Sequence, residues 1–120
     1  MAIRVAVIDD HPLFRDGVVA TVSAAPEFEV IAEGRSGSDA VRIARHQHPD
    51  IILLDVSMPE NGIEAAREIS ATSPSVKIVT LSACDEIDDI ARAAGARKSV
   101  NKGVSGPELV MILLGVFSET

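Results

Sequence analysis

Five times along this chain a short apolar run gives way to a longer segment of helical period, and no other feature restricts the fold as tightly. The runs are Ile3 to Ile8, Phe28 to Ala32, Ile51 to Leu54, Val76 to Leu81 and a weaker one from Arg97 to Asn101. Between and after them, apolar residues recur at helical spacing over Pro12 to Ala25, Ser38 to Gln47, Ile63 to Ala71, Glu86 to Ala94 and Pro107 to Phe117. Gly95 suits the C-terminal stop of the fourth helix, and Pro107 suits the first turn of the fifth. The first, third and fourth runs are apolar on both faces, as parallel strands covered by helices on each side must be. An open, doubly wound α/β sheet follows. Its 120 residues suit one domain spanning 1–120. Only 2% of the residues are aromatic, so the core has to be built from Val, Ile, Leu and Ala.

In such a sheet the ligand site lies at the carboxyl ends of the strands, so the residue after each run carries the information. Asp9 and Asp10 follow the first run, Asp55 the third, Ser82 the fourth and Lys102 the fifth. Any one of these alone reads as a turn residue, a helix cap or a solvated side chain. Asp10 suits a cap of the first helix, and Ser82 suits the start of the fourth. Taken together, they bring three carboxylates, a hydroxyl and an ammonium to one rim. Carboxylates gathered in this way repel one another unless a cation or proton intervenes. An all-oxygen set with no cysteine or histidine among the residues after the runs points to a hard cation, with Mg²⁺ expected. A carboxylate beside such an ion can act as a nucleophile toward phosphorus.

The net charge of −7 argues against direct nucleic-acid binding by this chain. The single cysteine, Cys84, excludes an internal disulfide, and no apolar stretch reaches the length of a signal or membrane segment. The expectation is a soluble, cytoplasmic protein with no membrane partner. His46 and His48 are two apart and so do not share a helix face, which argues against a metal pair. His11 lies beside the acidic residues, where it can start the helix or pair with a carboxylate. No glycine-rich nucleotide loop is present.

Four segments in order resemble the receiver domains of bacterial response regulators, especially those of the NarL/FixJ class. They are Val7-Ile8-Asp9-Asp10-His11-Pro12-Leu13-Phe14-Arg15-Asp16-Gly17, Leu53-Leu54-Asp55-Val56-Ser57-Met58-Pro59, Val79-Thr80-Leu81-Ser82-Ala83, and Ala94 to Lys102. The resemblance spans essentially the whole chain. It implies a flavodoxin-like (CheY-like) (βα)5 sheet of order 2-1-3-4-5. It further implies Asp55 as phosphoacceptor, with Mg²⁺ held by Asp9, Asp10, Asp55 and the backbone carbonyl of Ser57, whose side chain then matters less. Ser82 would bond the phosphoryl oxygen, Lys102 would pair with its charge, and the small Ala83 would leave it access. A sensor histidine kinase is the implied donor, and a shift of the fourth helix, fifth strand and fifth helix the implied output, through transcription. DNA contact would require a helix-turn-helix effector domain that this chain does not contain. The chain would catalyse its own phosphorylation and is not expected to be a metabolic enzyme.

The sequence departs from that pattern in places. The loop from Pro59 to Gly62 is about one residue short and the segment from Ser82 to Gly95 about two. Ser99 stands where the family usually places Tyr or Phe, and Asn101 stands where an apolar residue is usual. These favour a second reading, an atypical receiver acting as a constitutive interaction module. A third reading, a phosphohydrolase or flavin protein on the same architecture, lacks an Asp-x-Asp nucleophile and stacking aromatics. Leu109-Val110-Met111-Ile112-Leu113-Leu114 is apolar around more than one face, which marks a candidate homodimer or interdomain contact beside its packing role.

Overall fold

In the computed structural model, which describes residues 2–57, 62–83 and 87–119, strands and helices alternate strictly. The order is β1 (Ile3–Ile8), α1 (Pro12–Ala24), β2 (Phe28–Gly34), α2 (Gly37–Gln47), β3 (Ile51–Asp55), α3 (Gly62–Thr72), β4 (Lys77–Ser82), α4 (Asp88–Ala93), β5 (Lys98–Asn101) and α5 (Gly106–Ser118). All four strand pairings are parallel, and the sheet order is β2-β1-β3-β4-β5. The doubly wound sheet and its strand order are those anticipated.

Strand pleating sorts the apolar runs into two cores. Ala6, Ile8, Ile52, Leu54 and Ile78 face one layer, where they meet Ile43, Ala44, Ala66, Ile69 and Ala91 of α2, α3 and α4. Val5, Val7, Leu53, Val79 and Leu81 face the other, against Val18, Val22, Leu109, Leu113 and Val116 of α1 and α5. Residues next to each other in β1, β3 and β4 therefore need apolar side chains on both faces, which is why these runs show no polar alternation. The edge strands β2 and β5 are only partly buried. Asn101 is tolerated because β5 is an edge, and its side chain accepts a hydrogen bond from Gly103 N in the turn that follows.

Local signals set the helix ends. Ser36 caps α2 by accepting from Asp39 N, and Ser105 caps α5 by accepting from Glu108 N. His11, not Asp10, occupies the cap position of α1, and it makes no side-chain cap bond. Ser82 ends β4 rather than starting a helix. Arg4 in β1 donates to the carbonyls of Gln47 and His48, closing the C-terminus of α2. Lys77 does the same for α5, donating to the carbonyls of Val116, Phe117 and Glu119. The six residues of α4 are fewer than the segment from Glu86 to Ala94 anticipated. Glu86 and Cys84 lie outside the described residues, as do Met58, Pro59 and most of the short loop from Pro59 to Gly62; of the segment from Ser82 to Gly95, only residues 84–86 do. Among the described residues no helix is long and apolar enough to cross a membrane.

Gly95 ends α4 as anticipated, at φ +110°. A Cβ there would collide with Ser70 Oγ, which is fixed by donating to Ala94 O. Gly95→Ala is expected to cost about 2 kcal/mol or more, from the left-handed backbone and the clash together. Urea unfolding of the variant should show a lower midpoint at unchanged slope; an unshifted midpoint would contradict this account of the turn.

Candidate functional site

The parallel register delivers the strand-end residues to one rim. Asp9 follows β1 directly, Asp55 closes β3, Ser82 closes β4, and Lys102 follows β5. Asp55 is wholly buried, with Asp9 and Ser82 nearly so, while Asp10 is half-exposed. Lys102 Nζ donates to Asp55 Oδ2 at 2.9 Å and lies 3.4 Å from Asp9 Oδ2. The second oxygen of each buried carboxylate is held by local backbone: Asp55 Oδ1 accepts from Ser57 N at 2.8 Å, and Asp9 Oδ1 from His11 N at 2.9 Å. Lys102 N donates to Ser82 O, which ties the lysine to the end of β4.

Gly62 lets the first turn of α3 close on this rim. A Cβ at that position would lie 2.8 Å from Asp55 O and 2.9 Å from Val56 Cα, so only a residue without one fits.

Charge balance at the rim is unfavourable without a further cation. Asp9 and Asp55 share one ammonium, with Asp10 close by. Burial pushes the Asp9 carboxyl above its ordinary range. The His11 amide bond opposes this, the Asp55 charge adds to it, and Lys102 only partly offsets it. Burial works against the Lys102 ammonium, yet its hydrogen bond to Asp55 and the charges of Asp55 and Asp9 leave its pKa raised. Asp9 Oδ2 and Asp10 Oδ1 are buried without a hydrogen bond among the described residues; their close neighbours are Lys102 Nζ at 3.4 Å and His11 Nδ1 at 3.0 Å. Ligand atoms of Asp9, Asp10, His11 and Asp55 all lie within 4.8 Å of one another. Orphaned carboxylate oxygens in a compact, oxygen-rich set fit a divalent cation such as Mg²⁺.

The structure thus brings Asp9, Asp10, Asp55, Ser82 and Lys102 to one rim. It also adds participants that sequence reading passed over. Ser57 Oγ accepts from Ala83 N at 3.2 Å, so its side chain bridges the ends of β3 and β4, contrary to the lesser role the resemblance gave it. Arg15 donates to Asp9 O at 2.8 Å and pairs with Glu33, bracing the end of β1. The Phe14 ring covers the Lys102 ammonium, 4.6 Å from Nζ to the centroid. Their only sequence signal is helical: Phe14 and Arg15 stand within the first turn after the acidic pair. His46 and His48 are exposed at the end of α2, as expected. A surface cavity of about 400 Å³ between α2 and α3 is lined by none of the rim residues.

A parallel sheet of this order with an acidic, lysine-closed rim defines a class, and sequence comparison agrees. The chain belongs to the response regulator receiver domain family, whose sequence model matches residues 5–114. It is similar to the transcriptional regulatory protein DegU of Brevibacillus brevis, 45% identical over 85 residues covering 70% of this chain and 36% of that protein. It is also similar to the response regulator GacA of Pseudomonas aeruginosa, 34% identical over 119 residues covering 97% of this chain and 56% of GacA. Among solved structures, the signal receiver domain of NarL from Mycobacterium tuberculosis superposes with a TM-score of 0.94 at 31% identity, covering 99% and 98% of the two chains. These relatives support the NarL/FixJ class. The chain spans roughly a third to just over half the length of DegU and GacA.

Removing the Asp9 charge should stabilise the metal-free protein. Its carboxyl resists ionisation in the folded state, so the penalty is absent at acidic pH and grows as pH rises from the ordinary value of 3.8 through the raised folded value. Asp9→Asn is therefore expected to raise Tm at pH 7 in EDTA by roughly 2–4 °C, on the scale of about 1 kcal/mol, with the difference vanishing near pH 3.5. Calorimetry at both pH values tests this. Equal or lower stability of the variant at pH 7 would show that the carboxylate is already compensated.

Proposed function

We propose that this receiver domain accepts a phosphoryl group on Asp55, with Mg²⁺ held by Asp9, Asp10, Asp55 and the Ser57 carbonyl. The observation that carries the proposal is the state of Asp55. It is a buried carboxylate with one oxygen on Lys102 and the other on the Ser57 amide, beside Asp9 and Asp10 oxygens that accept no hydrogen bond among the described residues. An Asp55 oxygen forms the bond to phosphorus while the phosphorus bond to the donor's leaving group breaks, so the dianionic group arrives where Lys102 is already seated. Bound Mg²⁺ supplies charge neutralisation between the carboxylates and the phosphoryl oxygens. Lys102 keeps its ammonium throughout, because its raised pKa holds the proton. Ser82, at the end of β4, would hydrogen-bond the transferred group. The Ala83 amide, now donating to Ser57 Oγ, is a second donor that can be redirected to it.

The donor we propose is a sensor histidine kinase, whose phosphoimidazole P–N bond breaks on transfer. The output we propose is transcriptional control in the cytoplasm, with DNA bound through an effector domain outside residues 1–120; the similarity to the transcriptional regulatory protein DegU supports it. The chemistry acts on the chain itself and turns over no metabolite. A homodimer through α5 is part of this reading: Leu109, Leu113 and Val116 pack on the sheet, whereas Met111 is 68% exposed. One observation favours the constitutive-module alternative. Ser99 Oγ donates to Asp88 Oδ1 at 2.8 Å, a polar contact between β5 and α4 where an aromatic ring would otherwise move.

Intact mass after incubation with acetyl phosphate decides between them. A gain of one phosphoryl group that needs Mg²⁺ and disappears in Asp55→Asn is expected. No gain by folded, Mg²⁺-binding protein with either acetyl phosphate or phosphoramidate would remove the acceptor reading and leave the constitutive module.

A further inference from the structure

We propose that Phe14 is a positioning residue for the phosphoryl-acceptor chemistry, its ring face holding the Lys102 ammonium over Asp55; this rests on the acceptor reading above. The ammonium has three N–H bonds. One is directed to Asp55 Oδ2 at 2.9 Å, and Asp9 Oδ2 lies 3.4 Å away on the carboxylate side. From the α1 side stands the Phe14 ring, with its centroid 4.6 Å from Nζ, inside the range of a cation–π contact.

Lys102 reaches the rim along the wall of a cleft of about 270 Å³ between α1 and α5, shared with Phe14, Leu81, Val104 and Leu109. Water in that cleft would compete with the carboxylates for the ammonium. The half-buried ring occupies that direction with its electron-rich face, so the lysine side chain, itself only 15% exposed, stays turned toward the rim. Packing alone does not demand an aromatic residue here. The core around α1 is aliphatic apart from Phe28, and the whole chain has three phenylalanines with no tyrosine or tryptophan. Lysine has four flexible side-chain torsions, so an attraction that confines its head group lessens the ordering required when the phosphoryl group arrives.

The test compares Phe14→Leu, which keeps apolar bulk without the ring, and Phe14→Trp, which keeps an aromatic face. Two quantities are read in the full chain. One is ¹³C relaxation at Lys102 Cε, measured by NMR without phosphodonor. The other is the Mg²⁺-dependent rate of Asp55 labelling by acetyl phosphate. The leucine variant is expected to show a more mobile Cε and a labelling rate about three- to tenfold lower, the tryptophan variant near-wild-type values for both. A Cε that stays ordered in Phe14→Leu would overturn the proposal, because the carboxylates alone would then hold the lysine. Loss of order with an unchanged rate would equally overturn a role in the chemistry. If the leucine variant does not fold, Phe14→Met carries the same comparison. Should wild-type protein take no phosphoryl group, the acceptor reading fails, and with it Phe14's part in that chemistry. The relaxation data would then still separate a ring that holds the lysine from one that does not.

Discussion

Two buried carboxylates facing one ammonium, Asp9 and Asp55 against Lys102, set the terms for the rest of this molecule. Charges of like sign are withdrawn from water at the end of the sheet, and among the described residues one ammonium serves both. Such an arrangement survives only on a scaffold whose stability comes from elsewhere. Here it comes from two largely aliphatic layers, one on each face of the sheet. Sharing one ammonium between two buried carboxylates costs stability, and it leaves Asp9 Oδ2 and Asp10 Oδ1 without a hydrogen bond among the described residues.

That division of labour explains why so many contacts around the rim are to backbone. Ser57 N and His11 N fix the carboxylate orientations, Gly62 admits α3, and Lys102 N is pinned to β4. Main-chain groups are placed by the fold itself, so the geometry does not depend on further flexible side chains. Beside the Lys102 ion pairs, the side chains of Ser57, Phe14 and Arg15 link the rim to the loop after β4 and to α1.

The β5 edge follows a different logic. Ser99 is joined to Asp88 by a hydrogen bond, and Asn101 folds its side chain into the following turn. A strand with one neighbour tolerates these polar residues, since half its surroundings are solvent. A short α4 and a hydroxyl-to-carboxylate contact therefore occupy the face through which the family resemblance implies signalling. A small polar side chain there couples β5 to α4 by a hydrogen bond rather than by the packing of a ring.

The sequence by itself determined the layer architecture, because β1, β3 and β4 are buried on both faces and so are apolar at most positions, and such runs are visible in one dimension. It also determined which residues end each strand, and so Asp9, Asp10, Asp55, Ser82 and Lys102 were legible as a set. Element ends were nearly as clear where a glycine or proline fixed them, as at Gly95 and Pro107. Only the tertiary structure decided how those five groups are shared out: which carboxylate oxygen takes the lysine and which takes an amide. It alone revealed Ser57 Oγ on the Ala83 amide, Arg15 on the end of β1, and Phe14 over Lys102, a pair 88 positions apart in the chain. Local pattern records what each element must bury. Contacts between side chains of different elements depend on how those elements are set against one another, and no periodicity in a single segment encodes that.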